Sequence, residues 1–205
     1  MASEPRSWAT DRPVTSPFAL PAGSRGRLAG WFMLLTNRQR DLLPVLDVRP
    51  GDEVLEIGPG PGGLIRVLSR RTGARLIRGV DPSPEMVAHA TQVNRAAVRS
   101  GQVRLSVGSA ERTGLPDHSV DHVVAVNNVA IWPDLEAGLR ELHRVLRPDG
   151  SVVIAWHGGS APSRLTRTLQ LPAGQLARIR AALASRFTGV SQQQLPDLEV
   201  FKAYR

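Results

Sequence analysis

The sequence predicts a three-layer α/β fold, in which helices cover both faces of a mostly parallel sheet and an antiparallel hairpin ends the chain. Three observations support this prediction. Five short apolar segments alternate with helical patterns between residues 53 and 156, the order expected of parallel strands joined by crossover helices. A glycine-rich turn at residues 58–63 follows the first apolar segment. Two final strand-like segments are joined by a short turn, which favours antiparallel pairing.

The N-terminal region divides into two parts. Residues 1–23 carry four prolines among polar and charged residues, so we expect a mobile N-terminal arm there. Residues 24–205 are expected to form one domain, because the chain is long enough for a single sizeable core. A helical pattern opens this domain, with Trp31 between Leu28 and Leu35 on one face.

Strands are predicted wherever a short apolar segment is bounded by turn residues. In chain order they span residues 53–57, 76–81, 103–107, 120–127, 151–156, 190–194 and 198–204. The helix after the second strand is expected to start with Ser83 as N-cap and Pro84 at the first position, and to run to Gly101. Asp134 is predicted to cap a second helix, and a third is expected at residues 175–187.

Composition excludes several classes of protein. The chain has no cysteine, so disulfides, thiolate zinc sites and cysteine nucleophiles are excluded. No apolar run approaches the ~20 residues of a membrane span, and no signal peptide is evident. We therefore expect a cytoplasmic protein. No spacing of His, Asp and Glu indicates a metal site.

The overall charge is strongly positive. Lysine and arginine number 26 against 18 acidic residues, a net charge of +8, and all but Lys202 are arginine. Because the arginines are spread along the chain and aromatic residues make up only 4%, a solvated arginine-rich surface is favoured over a nucleic-acid-binding one. Binding to acidic partners is the alternative. We expect a small-molecule partner, no nucleic acid or membrane, and a monomer or homodimer.

The glycine turn allows two classes of nucleotide-like ligand. Gly58, Gly60 and Gly63 satisfy the G-x-G-x-x-G pattern of dinucleotide-binding turns, a weak signal when taken alone. Asp81, at the end of the second strand, can accept both hydroxyls of a ribose, which fits NAD and S-adenosylmethionine alike. Glu56 beside the turn would repel a pyrophosphate but suit a sulfonium cofactor with a cationic amino end. The alternative for Glu56 is a carboxylate bonded to nearby backbone.

Five segments in order resemble the class I S-adenosylmethionine-dependent methyltransferases of the small-molecule type 11 group, which have a Rossmann-like sheet. They read LEIGPGPG at 55–62, GVDPSPEM at 79–86, GSAERTGLPD at 108–117, VDHVV at 120–124 and LHRVLRPDG at 142–150. The resemblance covers roughly residues 50–156. It implies S-adenosylmethionine as the cofactor.

The resemblance also implies which residues hold the methionine and ribose parts of the cofactor. Glu56, Gly58 and Gly60 would hold the methionine part, and Gly62 is a further cofactor-binding residue of the same turn. Asp81 would accept hydrogen bonds from the ribose.

A second group would meet the adenine. Pro82 or Met86 would pack on the ring, and the loop of Ser109, Ala110 and Glu111 would meet its edge, with the Ala110 N–H as a donor. Many relatives have Asp where Ser109 stands. A hydroxyl can still bond the adenine amine, but more weakly.

The acceptor side is less defined by sequence. The resemblance implies that Asn127 and Asn128, just beyond the fourth strand, line the methyl-transfer side. His157 ends the fifth strand and is a candidate base or acceptor contact, with a histidine satisfied by backbone as the alternative. Trp132 and Trp31 are candidate pocket walls, with plain packing as the alternative for each.

The expected reaction is methyl transfer from S-adenosylmethionine to the O, N or C nucleophile of a small molecule, by in-line displacement. No residue is marked as a general base, so Asn127 and His157 are the catalytic candidates. Residues 127–130 lack an aromatic partner for a flipped base. Two alternatives remain at this stage: a cofactor-binding scaffold that does not methylate, and an NAD-dependent oxidoreductase.

Overall fold

The structure is a computed structural model, and it describes residues 6–10, 13 and 39–205. Seven strands form one sheet in the order β3-β2-β1-β4-β5-β7-β6. The first five strands run parallel, and β7 pairs antiparallel with both β5 and β6. The predicted fold class is therefore confirmed. The strands are β1 Glu53–Ile57, β2 Leu76–Asp81, β3 Val103–Val107, β4 Val120–Val126, β5 Leu146–His157, β6 Thr188–Gln194 and β7 Leu198–Tyr204.

Helices and 3₁₀ turns connect the strands. The helices of the described residues are α1 Leu43–Leu46, α2 Gly63–Arg71, α3 Pro84–Val93, α4 Arg95–Arg99, α5 Leu135–Val145, α6 Arg164–Arg167 and α7 Ala173–Ala184, with 3₁₀ turns at Gln39–Leu42 and Val129–Ile131. Both predicted N-caps are confirmed. The Ser83 side chain accepts a hydrogen bond from the Met86 N–H, and the Asp134 side chain accepts one from the Ala137 N–H.

Two apolar layers bury the central strands. On one face, α1 and α2 pack against the sheet through residues such as Leu46 and Leu68. On the other face, α5 and α7 contribute Leu139 and Leu183. Every residue of β1 is buried, whereas edge strand β3 leaves Val107 57% exposed. The order of the strands reverses between β1 and β4, and ligands of open α/β sheets bind beyond the carboxyl ends of the strands at such a point.

Two elements differ most from the sequence prediction, and others, such as α7 and β6, differ by two or three residues at an end. The helix expected to run from Pro84 to Gly101 is interrupted at Asn94, whose φ of −107° separates α3 from α4. Strand β5 begins at Leu146, ahead of the predicted start at residue 151, because Leu146 pairs with Val120 across an irregularity in the β4–β5 register. Between Leu146 and Ser151 the strand is irregular, and Asp149 there has a φ of 64°.

Residues 6–10, from the segment expected to be a mobile arm, dock on the loop after β4. The Ser7 hydroxyl donates to the carbonyl of Ala130 at 2.6 Å, and the Trp8 indole N–H donates to that of Val129 at 2.7 Å. The Arg178 guanidinium lies 5.0 Å from the centre of the Trp8 ring. The predicted helix around Trp31 lies outside the described residues, and so does most of the predicted arm.

Among the described residues, no helix is both long and apolar enough to cross a bilayer. The same part of the chain has no group of three or more His, Asp or Glu side chains placed to hold a metal ion.

Candidate cofactor and acceptor site

The glycine turn between β1 and α2 adopts backbone conformations that favour glycine. Gly58, Gly60 and Gly62 have φ angles of 60°, 51° and 83°, in the left-handed region. A Cβ at Gly58 would lie 2.6 Å from Nδ2 of Asn128, and one at Gly62 would lie 2.5 Å from Nδ2 of Asn94. At Gly60 a Cβ would meet no atom of the described residues within 4 Å. The turn is therefore closely packed at two glycines and open at Gly60.

Asp81, the last residue of β2, is bonded to the glycine turn. Its Oδ2 accepts a hydrogen bond from the Gly60 N–H at 3.0 Å, and its Oδ1 accepts one from the Ser83 N–H at 2.9 Å. The residue is 6% exposed. Burial raises the pKa of this carboxyl, and the two backbone hydrogen bonds oppose that rise. A carboxylate held in this way keeps lone pairs that can accept the hydroxyls of a ribose.

Glu56 is the most unusual group at this edge of the sheet. It is 2% exposed, and its Oε2 has no hydrogen-bond partner within the described residues. Burial, and next the charge of Asp81, raise the pKa of the Glu56 carboxyl to about 8, against a hydrogen bond from the Ile65 backbone. An unpaired buried carboxylate is unfavourable until a cation neutralises it. This arrangement can therefore hold a ligand ammonium group.

The loop after β3 forms a tight turn. The backbones of Ser109 and Arg112 exchange two hydrogen bonds, of 3.0 and 3.2 Å. Ala110 lies between them and is 4% exposed. The carboxylate of Glu111 accepts a hydrogen bond from the N–H of Asp134 at 3.4 Å. This last contact links the loop to the start of α5.

Pro82 and Met86, the two candidates for packing on adenine, differ in exposure. Pro82 is exposed, whereas Met86 is 3% exposed within the first turns of α3. The exposed ring of Pro82 is the more available surface for a ligand.

Asn128 and Trp132 bond to each other beyond β4. The Asn128 Nδ2 donates to the carbonyl of Ile57 at 2.6 Å, and its Oδ1 accepts from the Trp132 indole N–H at 3.0 Å. Asn128 is 8% exposed and Trp132 is 4% exposed. A Cβ at Gly138 would lie 2.6 Å from the Trp132 ring. This placement supports the packing interpretation of Trp132 and gives the Asn128 amide a role in holding the end of β1, while its acceptor contact stays a prediction.

Asn127, the residue after β4, is held in a strained conformation. Its φ of 55° is uncommon for a residue other than glycine. Its N–H donates to the carbonyl of Ala155 in β5 at 2.8 Å. Strained residues cluster at functional sites, so this geometry favours the predicted role at the methyl-transfer side.

His157, the last residue of β5, lies opposite Leu198 of β7. Its Nδ1 is buried and has no hydrogen-bond partner among the described residues. Burial lowers the pKa of His157 to about 4, although the charge of Asp197 raises it. The imidazole is therefore neutral at pH 7 and can accept a hydrogen bond or a proton, but it is a weak base.

Two features of the site were not predicted from sequence. The Asn94 Nδ2 donates to the carbonyls of Gly62 at 3.1 Å and Ala90 at 2.9 Å, and so joins the helix break to the glycine turn. The docking of Ser7 and Trp8 is the other. An Asn within an apolar-faced helical pattern is a signal that could have indicated the break, because its side chain competes for backbone groups.

The comparison with known sequences agrees with this geometry. A family model described as "Methyltransferase domain" matches residues 55–154. An uncharacterized methyltransferase of Bacillus subtilis, YdaC, is 30% identical over 157 residues, which are 76% of this chain and 84% of the relative. The chain therefore belongs to the class I S-adenosylmethionine-dependent methyltransferases, and S-adenosylmethionine is its cofactor. This excludes the NAD-dependent alternative.

More distant relatives share part of the chain. Nocamycin O-methyltransferase of Saccharothrix syringae is 34% identical over 114 residues, and the match covers 55% of this chain but only 40% of that enzyme. Among solved structures, a SAM-dependent methyltransferase from Aquifex aeolicus has a TM-score of 0.64 at 18% identity, covering 84% of this chain and 90% of its own. The geranyl diphosphate C-methyltransferase of Streptomyces coelicolor has a TM-score of 0.65 at 17% identity, covering 82% and 75%. At these identities the structures show the shared fold.

Proposed function

We propose that this methyltransferase acts on a small-molecule acceptor through an O, N or C nucleophile. The observation that carries the proposal is the buried state of Trp132. An enzyme acting on a flipped base stacks that base on an aromatic or apolar side chain, and the one aromatic ring in the loop after β4 is 4% exposed and bonded to Asn128. The docked residues 6–10 also cover this loop.

We infer that the cofactor lies across the carboxyl ends of β1, β2 and β4. The unpaired Glu56 oxygen supports a contact with the ammonium group of its methionine part. The open space at Gly60 leaves room for the same part beside Gly58 and Gly62. Asp81 is placed to accept hydrogen bonds from the ribose, with its orientation fixed by the Gly60 and Ser83 N–H groups.

The adenine would lie between Pro82, Met86 and the tight turn of the loop after β3. In that turn the Ala110 N–H is the proposed donor to the ring, and Ser109 the acceptor for its amine. Glu111 would act by holding the loop against the start of α5.

The bound cofactor supplies a methyl group already activated on a sulfonium, so the protein mainly orients the acceptor for in-line attack. We propose that Asn127, fixed by its bond to β5, contacts the reacting side of the crevice. His157 would accept a hydrogen bond, or a proton from an acceptor that must lose one, through its neutral imidazole. We also propose that the enzyme is cytoplasmic and is a monomer or a homodimer.

The proposal is tested with purified protein and S-adenosylmethionine labelled in the methyl group, incubated with phenols, amines, carbon acids and a mixed transfer RNA. We expect label in at least one class of small molecule and none in RNA. Label confined to RNA would overturn the small-molecule assignment. Binding of S-adenosylhomocysteine with no transfer to any acceptor would favour the non-methylating scaffold.

A further inference from the structure

A groove of about 660 Å³ lies on the surface between α2 and the α3–α4 break, away from the carboxyl ends of the strands. Three arginines line it. Arg66 and Arg70 are one turn apart on α2, and Arg95 begins α4. All three side chains are exposed and make no ion pair with any described residue. The groove is therefore a concentration of unneutralised positive charge.

The segment around this groove carries more positive charge than an even spread of the chain's net charge would give it. Residues 58–110 contain eight arginines and only two carboxylates, Asp81 and Glu85. This segment therefore carries a net +6 of the +8 of the chain. Neither carboxylate lines the groove, and Asp81 is buried at the cofactor site. Within the described residues, no carboxylate forms an ion pair with these three guanidinium groups.

The side chains that line the groove favour the binding of phosphate groups. A guanidinium can bond two phosphate oxygens at once through parallel N–H donors. The remaining polar lining consists of amides and hydroxyls, among them Gln92, Gln102 and Ser69, which can donate further hydrogen bonds. Among the described residues, no aromatic side chain lines the groove, so this part of the chain offers no stacking surface for the bases of a single strand. Its volume is within the range of small-ligand pockets.

The floor of the groove is joined to the cofactor site. Asn94 lines the groove and is 4% exposed. The same side chain donates to the Gly62 carbonyl of the glycine turn. A ligand that holds α4 against α2 would restrict Asn94, and through it the turn, before the cofactor binds. Ordering by a first ligand lowers the entropy that a second must lose, which gives positive coupling.

We propose that this groove binds a small polyphosphate anion, and that its occupancy increases the affinity of the cofactor site through Asn94. The shared chemistry is two or three linked phosphates, either free or as the tail of a nucleotide. This inference concerns a second site, and its binding test does not require the proposed methyl acceptor to be correct.

The binding test is calorimetric titration with inorganic triphosphate at low ionic strength, with Arg70→Gln, Arg95→Gln and Arg180→Gln variants. Arg180 lies exposed on α7 and has no ion pair within the described residues, so its variant controls for the loss of one charge. We expect each groove variant to weaken binding about tenfold and the control to change it less than twofold. Equal weakening in all three, or no binding by the unchanged protein, would overturn the site.

Two further arms identify the ligand and the coupling. ATP that binds as tightly as triphosphate supports recognition of the phosphate tail, whereas a single-stranded oligonucleotide that binds when triphosphate does not would overturn the small-anion assignment. Saturating triphosphate should tighten S-adenosylhomocysteine binding about fivefold, and should leave it unchanged in the Arg70→Gln/Arg95→Gln double variant. An unchanged affinity in the parent protein would refute the coupling. Failure of S-adenosylhomocysteine to bind either with or without triphosphate would count against the cofactor site itself.

Discussion

Strand β1 carries two buried acidic side chains that differ in their interaction partners. Glu53 begins the strand, is 5% exposed, and forms ion pairs with Arg75, Arg78 and Arg147. Glu56, three residues later, is 2% exposed and has an oxygen with no partner within the described residues. Strand β1 therefore has an ion-paired carboxylate at the amino edge of the sheet and, at the carboxyl edge, a carboxyl group whose Oε2 has no partner among the described residues.

The difference separates structural from functional charge. A buried carboxylate that has several guanidinium partners contributes to folding, and removing it breaks those ion pairs, although Arg147 keeps a second one with Asp121. A buried carboxyl group without an ion partner stays mostly protonated at pH 7 in the free protein, and it ionises when a ligand supplies a cation. Glu53 is thus expected to affect stability alone, and Glu56 to affect mainly cofactor affinity.

The largest effect is expected at Glu53, the first residue of β1. Glu53→Gln removes the common partner of three arginines and should lower the free energy of unfolding by about 3 kcal/mol, somewhat less where the exposed Arg75 is solvated. Chemical denaturation measures this change. Affinity for S-adenosylhomocysteine, measured well below the unfolding transition, should stay within twofold. A stable Glu53→Gln protein with weakened cofactor binding would reverse the comparison.

For Glu56→Gln we expect weaker cofactor binding without a loss of stability. This change removes the charge but keeps the shape of the side chain, so S-adenosylhomocysteine should bind about 2 kcal/mol more weakly because a charge-assisted contact to its ammonium group is lost. The free energy of unfolding should not fall at pH 9, where the native Glu56 is mostly ionised and unpaired. Glu85→Gln, at an exposed carboxylate of α3, is the matched control. Equal affinities in the two variants would remove Glu56 from the cofactor site.

A smaller effect is expected of two glycines, one at the cofactor turn and one before β3. Gly60 and Gly101 have φ angles of 51° and 80°, and neither has a described atom within 4 Å of a built Cβ. Gly60→Ala and Gly101→Ala should each lower stability by about 1 kcal/mol through the same backbone strain. Only Gly60→Ala should weaken S-adenosylhomocysteine binding as well. Two variants with the same affinity would show that Gly60 does not face the cofactor.

Local chemistry allowed the sequence to predict the strands, the two N-caps and the position of Glu56 and Asp81 beside the glycine turn. Glu56 and Asp81 stand at strand ends, where position along the chain largely fixes position in the fold. The bond from the Asn128 amide to the Ile57 carbonyl of β1 joins residues 71 apart in the chain, so no local pattern indicates it.

The helix break at Asn94 also depends on a contact between residues far apart in the chain. The apolar periodicity from Met86 to Ala97 continues through it, and only the contact with Gly62 shows why the helix stops. The length of β5 likewise follows from pairing between Leu146 and Val120. That Glu56 lacks a partner for one oxygen is a property of the folded site alone.

The central claim is that the Glu56 carboxylate binds a cationic group of the ligand. Release of a proton on ligand binding tests this claim most directly. The folded pKa of Glu56, about 8, lies above its ordinary value of 4.5, so its contribution to stability is complete below pH 4.5 and is lost as pH rises through 8. Binding an ammonium group lowers this pKa and must release a proton at pH 7.

The measurement is calorimetric titration with S-adenosylhomocysteine at pH 7 in two buffers of different ionisation enthalpy. The account predicts release of close to one proton by the parent protein and about none by Glu56→Gln. Binding heats that do not depend on the buffer in the parent protein would contradict it.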